Sequence, residues 1–141
     1  MVALVIDTSV LIAAFISERG ASREVLRRCL QGRYLPLIGE ALYQEAEDVL
    51  HRREIIDRCS LTESERGELL DAYLSVCRWI TPYFLFRPNL RDEADNHVVE
   101  LAVTASADAI VTYNLADFER SELRFPGLLT LNPADCLKRF S

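Results

Sequence analysis

The sequence predicts an α/β domain: a three-layer sandwich with a central, mostly parallel sheet between helices. Two short apolar runs, Val2 to Ile6 and Ala109 to Tyr113, lack polar alternation, as expected for strands buried on both faces of a parallel sheet. Helical patterns separate such runs, and strands alternating with helices imply right-handed crossovers. Polar residues stand where strands end, with Asp7 directly after the first run and Asn114 directly after the second.

Each element has a local reason. Val2 to Ile6 is the first strand and stops at Asp7. Thr8 and Ser9 can cap the next helix, whose Val10, Leu11, Ala13, Ala14 and Phe15 are almost wholly apolar, with Gly20 as its stop. A second helix over Ala21 to Leu30 sets Val25, Leu26, Cys29 and Leu30 on one side and Arg23, Arg27 and Arg28 on the other. Tyr34 to Ile38 is the second strand, broken by Gly39, and a long helix follows from about Glu40 to Arg53. The chain stays helical to Arg78 as a hairpin, because Thr62-Glu-Ser-Glu65 is a capping-box pattern ahead of Leu69, Leu70, Tyr73, Leu74 and Cys77.

Trp79 to Phe86 is extended but holds Pro82, which predicts a short or irregular strand. Arg91-Asp-Glu-Ala-Asp-Asn96 opens a helix to about Ser106. Ala109 to Tyr113 is the next strand, Leu115 to Glu119 a short turn of helix, and Leu128 to Leu131 the last strand. Pro133 starts the closing helix as a first-turn proline. Neither an internal repeat nor a low-complexity segment interrupts this order.

The bulk numbers agree with one domain spanning 1–141. The chain has 141 residues, 50% hydrophobic and 27% charged, with mean hydropathy +0.05, enough apolar material for one core. The first apolar run meets Asp7 too early for a signal-peptide core, and no run approaches the ~20 residues of a membrane span, so the expectation is a cytoplasmic protein with no membrane partner. Cys29, Cys59, Cys77 and Cys136 are widely spaced without a C-x-x-C pair, which argues against zinc and against a disulfide framework and leaves them as core or partly buried thiols. The net charge of −6 weighs against nucleic acid overall. A local patch can still differ from the sum, and fifteen of the sixteen basic residues are Arg, which grips phosphate in a fork; a codon bias toward Arg explains that count equally well.

Five acids carry the chemistry: Asp7, Glu45, Asp92, Asp95 and Asp117. Parallel strands share one carboxyl edge, where ligands of open α/β sheets bind, so Asp7, Asn114 and Asp117 are expected there as neighbours. Glu45 lies on the border of the apolar stripe formed by Leu42, Ala46, Val49 and Leu50, where an acid costs free energy unless something compensates it. Taken singly, Asp92 and Asp95 are ordinary first-turn acids, and Asn114 and Asp117 fit an N-cap and its third helical position. Together they differ, because two carboxylates ~4 Å apart repel by about 4 kcal/mol at an effective dielectric near 20. A divalent cation relieves that repulsion, and oxygen-only ligands favour Mg²⁺ or Mn²⁺. Such a site suits phosphodiester hydrolysis. His51 and His97 have no partner at ligand spacing and are expected at the surface or an interface.

The chain resembles the PIN-domain ribonucleases, particularly the VapC-like toxin branch, over nearly its whole length. The matching pieces are the strand into Asp7-Thr-Ser-Val-Leu11, Glu45 within Tyr43-Gln-Glu-Ala-Glu-Asp-Val-Leu50, Asp92-Glu-Ala-Asp-Asn96 before a Leu/Ala-rich helix, Ala109-Ile-Val-Thr-Tyr-Asn-Leu-Ala-Asp-Phe118, and the closing Leu131-Asn-Pro-Ala-Asp135. The resemblance implies a PIN-like, Rossmann-like fold and an acidic, metal-binding and catalytic quartet of Asp7, Glu45, Asp95 and Asp117. It makes Asp92 and Asn114 supporting groups, with the Ser9 and Thr112 hydroxyls as helpers. It implies cleavage of single-stranded RNA with Mg²⁺ or Mn²⁺, a homodimer, and silencing by a cognate antitoxin protein that covers the pocket. Asn114 departs from the pattern, since many relatives carry Asp there.

Two other classes stand beside this reading. A phosphatase with an aspartyl nucleophile after the first strand usually needs a second acid two residues on, where Ser9 stands. A degenerate PIN-like module would bind RNA or protein without cutting, and Asn114 leans that way.

Overall fold

The computed structural model describes residues 1–81, 93–119 and 125–141, with the side chains of 93–96 outside that description. These residues form a five-stranded, all-parallel sheet and seven α-helices. The strands are β1 (Val2–Ile6), β2 (Tyr34–Ile38), β3 (Arg78–Trp79), β4 (Ala109–Val111) and β5 (Leu129–Leu131), in the spatial order β3-β2-β1-β4-β5. The helices are α1 (Thr8–Ile16), α2 (Ala21–Leu30), α3 (Glu40–Leu50), α4 (Arg53–Ile56), α5 (Glu63–Val76), α6 (Glu93–Thr104) and α7 (Pro133–Arg139). A 3₁₀ turn covers Leu115–Phe118. This is the three-layer α/β arrangement expected of the sequence, with no antiparallel pairing among the described strands.

Side chains alternate across the central strands as the pleat requires. Leu4, Ile6, Ala109 and Val111 face a core built from α1, α2, α5 and α7, with Phe15, Leu26, Cys29, Tyr73 and Cys136 among its members. Val5 and Ile110 face the other core, built largely from Val98, Val99, Leu101 and Ala102 of α6 and closed by Phe118. Helix α3 contributes Leu42 to the second core and Ala46 and Leu50 to the first, so it joins the two layers. All four cysteines are free thiols, two buried and two half-buried. Burial pushes Cys77 up to about 12 and Cys136 to about 11, which keeps both protonated and inert.

Several boundaries differ from the sequence expectation, for local reasons. Helix α1 starts at Thr8 with Asp7 at its N-cap and ends at Ile16; Gly20 does not stop it but instead caps α2. The long helix from Glu40 breaks after Leu50, because the His51 ring takes the Glu47 carbonyl through Nδ1 at 2.7 Å and Arg52 turns extended to begin α4. Strand β4 leaves the ladder after Val111, two residues before Tyr113. The capping box of Thr62 and Glu65 and the first-turn Pro133 fall where expected. Strand β3 (Arg78–Trp79) starts one residue before the extended segment expected over Trp79 to Phe86 and takes in only its Trp79, and residues 82–86 lie outside the described residues. No helix among the described residues is long and apolar enough to cross a membrane.

Helices α2 and α6 end alike. After α2, Gly32 at φ 78° lets its own N–H reach Cys29 O and the N–H of Arg33 reach Arg28 O. After α6 the same pair of bonds forms around Ser106 at φ 53°, from Ser106 to Val103 and from Ala107 to Ala102. Only Gly adopts that conformation without strain. Ser106→Gly is therefore expected to stabilise the protein by about 0.5–1 kcal/mol, and Gly32→Ala to destabilise it by about 1 kcal/mol, both read from urea denaturation midpoints.

Candidate active site

Strand β1 runs through the middle of the sheet and delivers Asp7 to its carboxyl edge. Backbone bonding continues one step past the strand, with the Asp7 N–H donating to Val111 O at 2.9 Å. The Asp7 side chain is only 5% exposed. A buried carboxylate needs compensating donors, and two hydroxyls provide them. Ser9 Oγ and Thr112 Oγ1 both donate to Asp7 Oδ2, each at 2.8 Å. Each hydroxyl accepts in turn from the backbone beyond β4: Ser9 from the Tyr113 N–H at 3.2 Å, Thr112 from the Asn114 N–H at 2.9 Å.

Two relays thus converge on one oxygen of Asp7. Their donors are the Tyr113 and Asn114 N–H groups just past β4, while the Thr112 backbone N–H stays bonded to β5 through Leu131 O at 2.9 Å. Oδ1 accepts no hydrogen bond from the described residues, and Asp7 makes no side-chain cap to α1. One oxygen is held and the other is left for a ligand.

Glu45 reaches the same edge from α3. Its Oε2 lies 3.1 Å from His97 Nε2 on α6, with side-chain exposures of 38% and 15%. The hydrogen bond from His97 holds the Glu45 carboxyl below its ordinary value of 4.5, against the opposing effect of burial. The buried Thr8 hydroxyl faces the same carboxylate and adds to the lowering without reaching hydrogen-bonding geometry itself. An ionised carboxylate only accepts, so Nε2 carries the proton. His97 Nδ1 is buried with no partner among the described residues.

The expectation that both histidines lie at the surface or an interface, without a partner at ligand spacing, therefore needs correction for His97. His51 is exposed beside Glu47, whereas His97 is largely buried on Glu45. Sequence spacing hid this, because the pair is 52 residues apart. The available signal was position, on the opening turns of a helix that starts at the carboxyl edge.

The remaining acids are distributed differently. Asp117 sits in the 3₁₀ turn with its side chain exposed, and its N–H bonds to the Asn114 carbonyl at 3.0 Å. Asn114 precedes that turn without a side-chain cap bond. Asp95 is the third residue of α6, but its side chain lies outside the described residues, as does Asp92 altogether.

The PIN-domain family model matches residues 3–116, from the second residue of β1 into the 3₁₀ turn. The chain belongs to the PIN-domain family. PIN domains are generally nucleases and generally use divalent metal ions. A comparison with curated proteins finds no match.

The donors fit a hard dication. Asp7 and Glu45 present oxygens at one edge, and Mg²⁺ is commonly held by one or two carboxylates together with waters and substrate phosphates. Among the described residues no three of His, Cys, Asp and Glu gather at metal-binding spacing, so these do not form a closed protein cage.

Two measurements check this geometry. Thr112→Val removes one of the two donors to buried Asp7 and is expected to cost about 1–3 kcal/mol of unfolding free energy. His97→Ala is expected to raise the Glu45 titration midpoint, read by side-chain carboxyl NMR. In the parent the Glu45–His97 contribution is complete above 4.5 and fades as pH falls through the lowered Glu45 value, so acid unfolding of His97→Ala should differ least at the lowest pH.

Proposed function

We propose that the protein is a Mg²⁺- or Mn²⁺-dependent endoribonuclease that hydrolyses single-stranded RNA, and that it serves as the toxin of a toxin–antitoxin pair. The observation that carries the nuclease reading is the Asp7 carboxylate, buried at the sheet edge of a PIN domain with Oδ2 fixed by Ser9 and Thr112 and Oδ1 facing no described donor. In this reading Asp7, Glu45, Asp95 and Asp117 hold the metal. A bound dication supplies positive charge against phosphate oxygens and acidifies water.

The protein's own groups do the rest. Ser9 and Thr112 set the direction of Asp7, so its free oxygen needs little reorganisation on binding. His97 keeps Glu45 anionic and holds a proton at Nε2. Thr8, the residue after Asp7, adds to the lowering of Glu45. Asn114 supports the site through its backbone N–H on Thr112, and the family resemblance gives Asp92, which lies outside the described residues, a supporting role. An RNA substrate, an antitoxin that covers the acidic edge and a homodimer belong to the same proposal; the toxin role is tested by whether the adjacent reading frame encodes a small DNA-binding protein, and a neighbour of another kind counts against it.

Asp7→Asn and Asp95→Asn are each expected to lower cleavage of single-stranded RNA by at least about a thousandfold, the scale of lost charge stabilisation at a reacting phosphate. Parent-like rates in both variants sink the assignment. The second reading, a module that binds RNA or protein without cutting, draws on Asn114, which stands where many relatives carry Asp. Calorimetric titration with Mn²⁺ separates them: saturable heat that disappears in Asp7→Asn supports the nuclease, and a flat titration supports the binding module.

A further inference from the structure

We propose that the cleft between the start of α3 and the end of β3 is a nucleobase subsite in which one base of a single-stranded RNA stacks on Trp79. The inference rests on the nuclease reading and adds to it a place for the substrate. The cleft encloses about 260 Å³ and is lined by Trp79, Ile80, Thr81, His97, Glu100 and Leu101, with the first turn of α3 opposite. That is a little under the usual range for drug-sized ligands, a size that suits one heterocycle.

Its chemistry matches a base. Trp79 is 49% exposed, although a Trp left half in water loses favourable burial. Its ring is not adrift: Tyr43 of α3 packs against it at 5.4 Å between centroids, tilted by 59°. A held, half-exposed indole gives a flat face on which any base can stack. The wall beyond is mixed, with Ile80 and Leu101 apolar and Thr81, His97 and Glu100 polar. A base likewise has an apolar face and a polar rim.

Position ties the cleft to the acids. His97 belongs to both, with Nε2 on Glu45 and its ring in the cleft wall. Trp79 ends β3, two strands from β1 in the sheet order, so it stands at the same carboxyl edge as Asp7, roughly 10 Å across the sheet. On the other side of β1, past β4, stands Tyr113, the other exposed aromatic among the described residues. An RNA strand crossing the edge over Asp7 meets Trp79 within a neighbouring nucleotide.

The chain contains a single tryptophan, so intrinsic emission reports on this cleft alone. The intact protein is titrated with single-stranded RNA hexamers in EDTA, where metal-dependent cleavage is suppressed. Saturable quenching of emission is expected. Trp79→Ala, at a site exposed enough to leave the core intact, is expected to weaken binding of a fluorescein-labelled hexamer by about tenfold, the effect of one stacked base, while Trp79→Phe retains most of the affinity. Hexamers that are cut in Mg²⁺ without changing emission, and bind Trp79→Ala as well as the parent, overturn the subsite and leave the nuclease reading standing; the cleft then falls to a side chain of a protein partner. Quenching by hexamers that are never cut upholds the subsite and removes the catalytic reading.

Discussion

The arrangement of the carboxyl edge depends on one buried charge. Asp7 sits at the end of the central strand, where the sheet and α1 leave it 5% exposed, and an uncompensated carboxylate there would be costly. Ser9 and Thr112 offset that cost through a single oxygen. Their hydroxyls are in turn oriented by the N–H groups of Tyr113 and Asn114, so the turn after β4 is fastened to the strand beside it. One hydrogen-bond network thus fixes both the Asp7 carboxylate and the turn after β4.

Glu45 is handled by different physics. It lies on a helix that contributes to both cores, is far more exposed than Asp7, and is held anionic by a neighbouring imidazole. The edge therefore offers two oxygen donors of unlike stiffness: one locked by buried hydroxyls, one on a longer side chain with a partly solvated partner. A metal with flexible water ligands tolerates such a mixture, because it does not demand that protein atoms fill every position. His97 also extends the edge sideways into the Trp79 cleft, so the Glu45 carboxylate and the cleft wall share one residue.

Much of this was legible beforehand. The apolar runs at Val2 to Ile6 and Tyr34 to Ile38 mark strands because a parallel sheet buries both faces, and the Thr62–Glu65 box marks a helix start because its bonds are local. Asp7 stood out because a strand-end position depends only on where the apolar run stops. Ser9 and Thr112 could be named as helpers through family resemblance, though the reason both bind the same oxygen could not. His97 was misplaced: its partner is on another helix, and no periodicity connects them. The break after Leu50 was missed because it turns on a single side-chain bond from His51 to a carbonyl that the helix would otherwise have used.

The order of letters alone determined most of the secondary elements, though not all their ends, together with the parallel layering and the family, since these follow from hydrophobic period, caps and turn chemistry acting over a few residues. Tertiary structure decided what surrounds each acid. Whether a carboxylate is buried, which donors meet it and which oxygen stays free depend on helices and strands brought together from distant parts of the chain. Hydrogen bonding is short-ranged and directional, so those outcomes are set only when the sheet has closed and α3, α6 and the turn after β4 stand side by side.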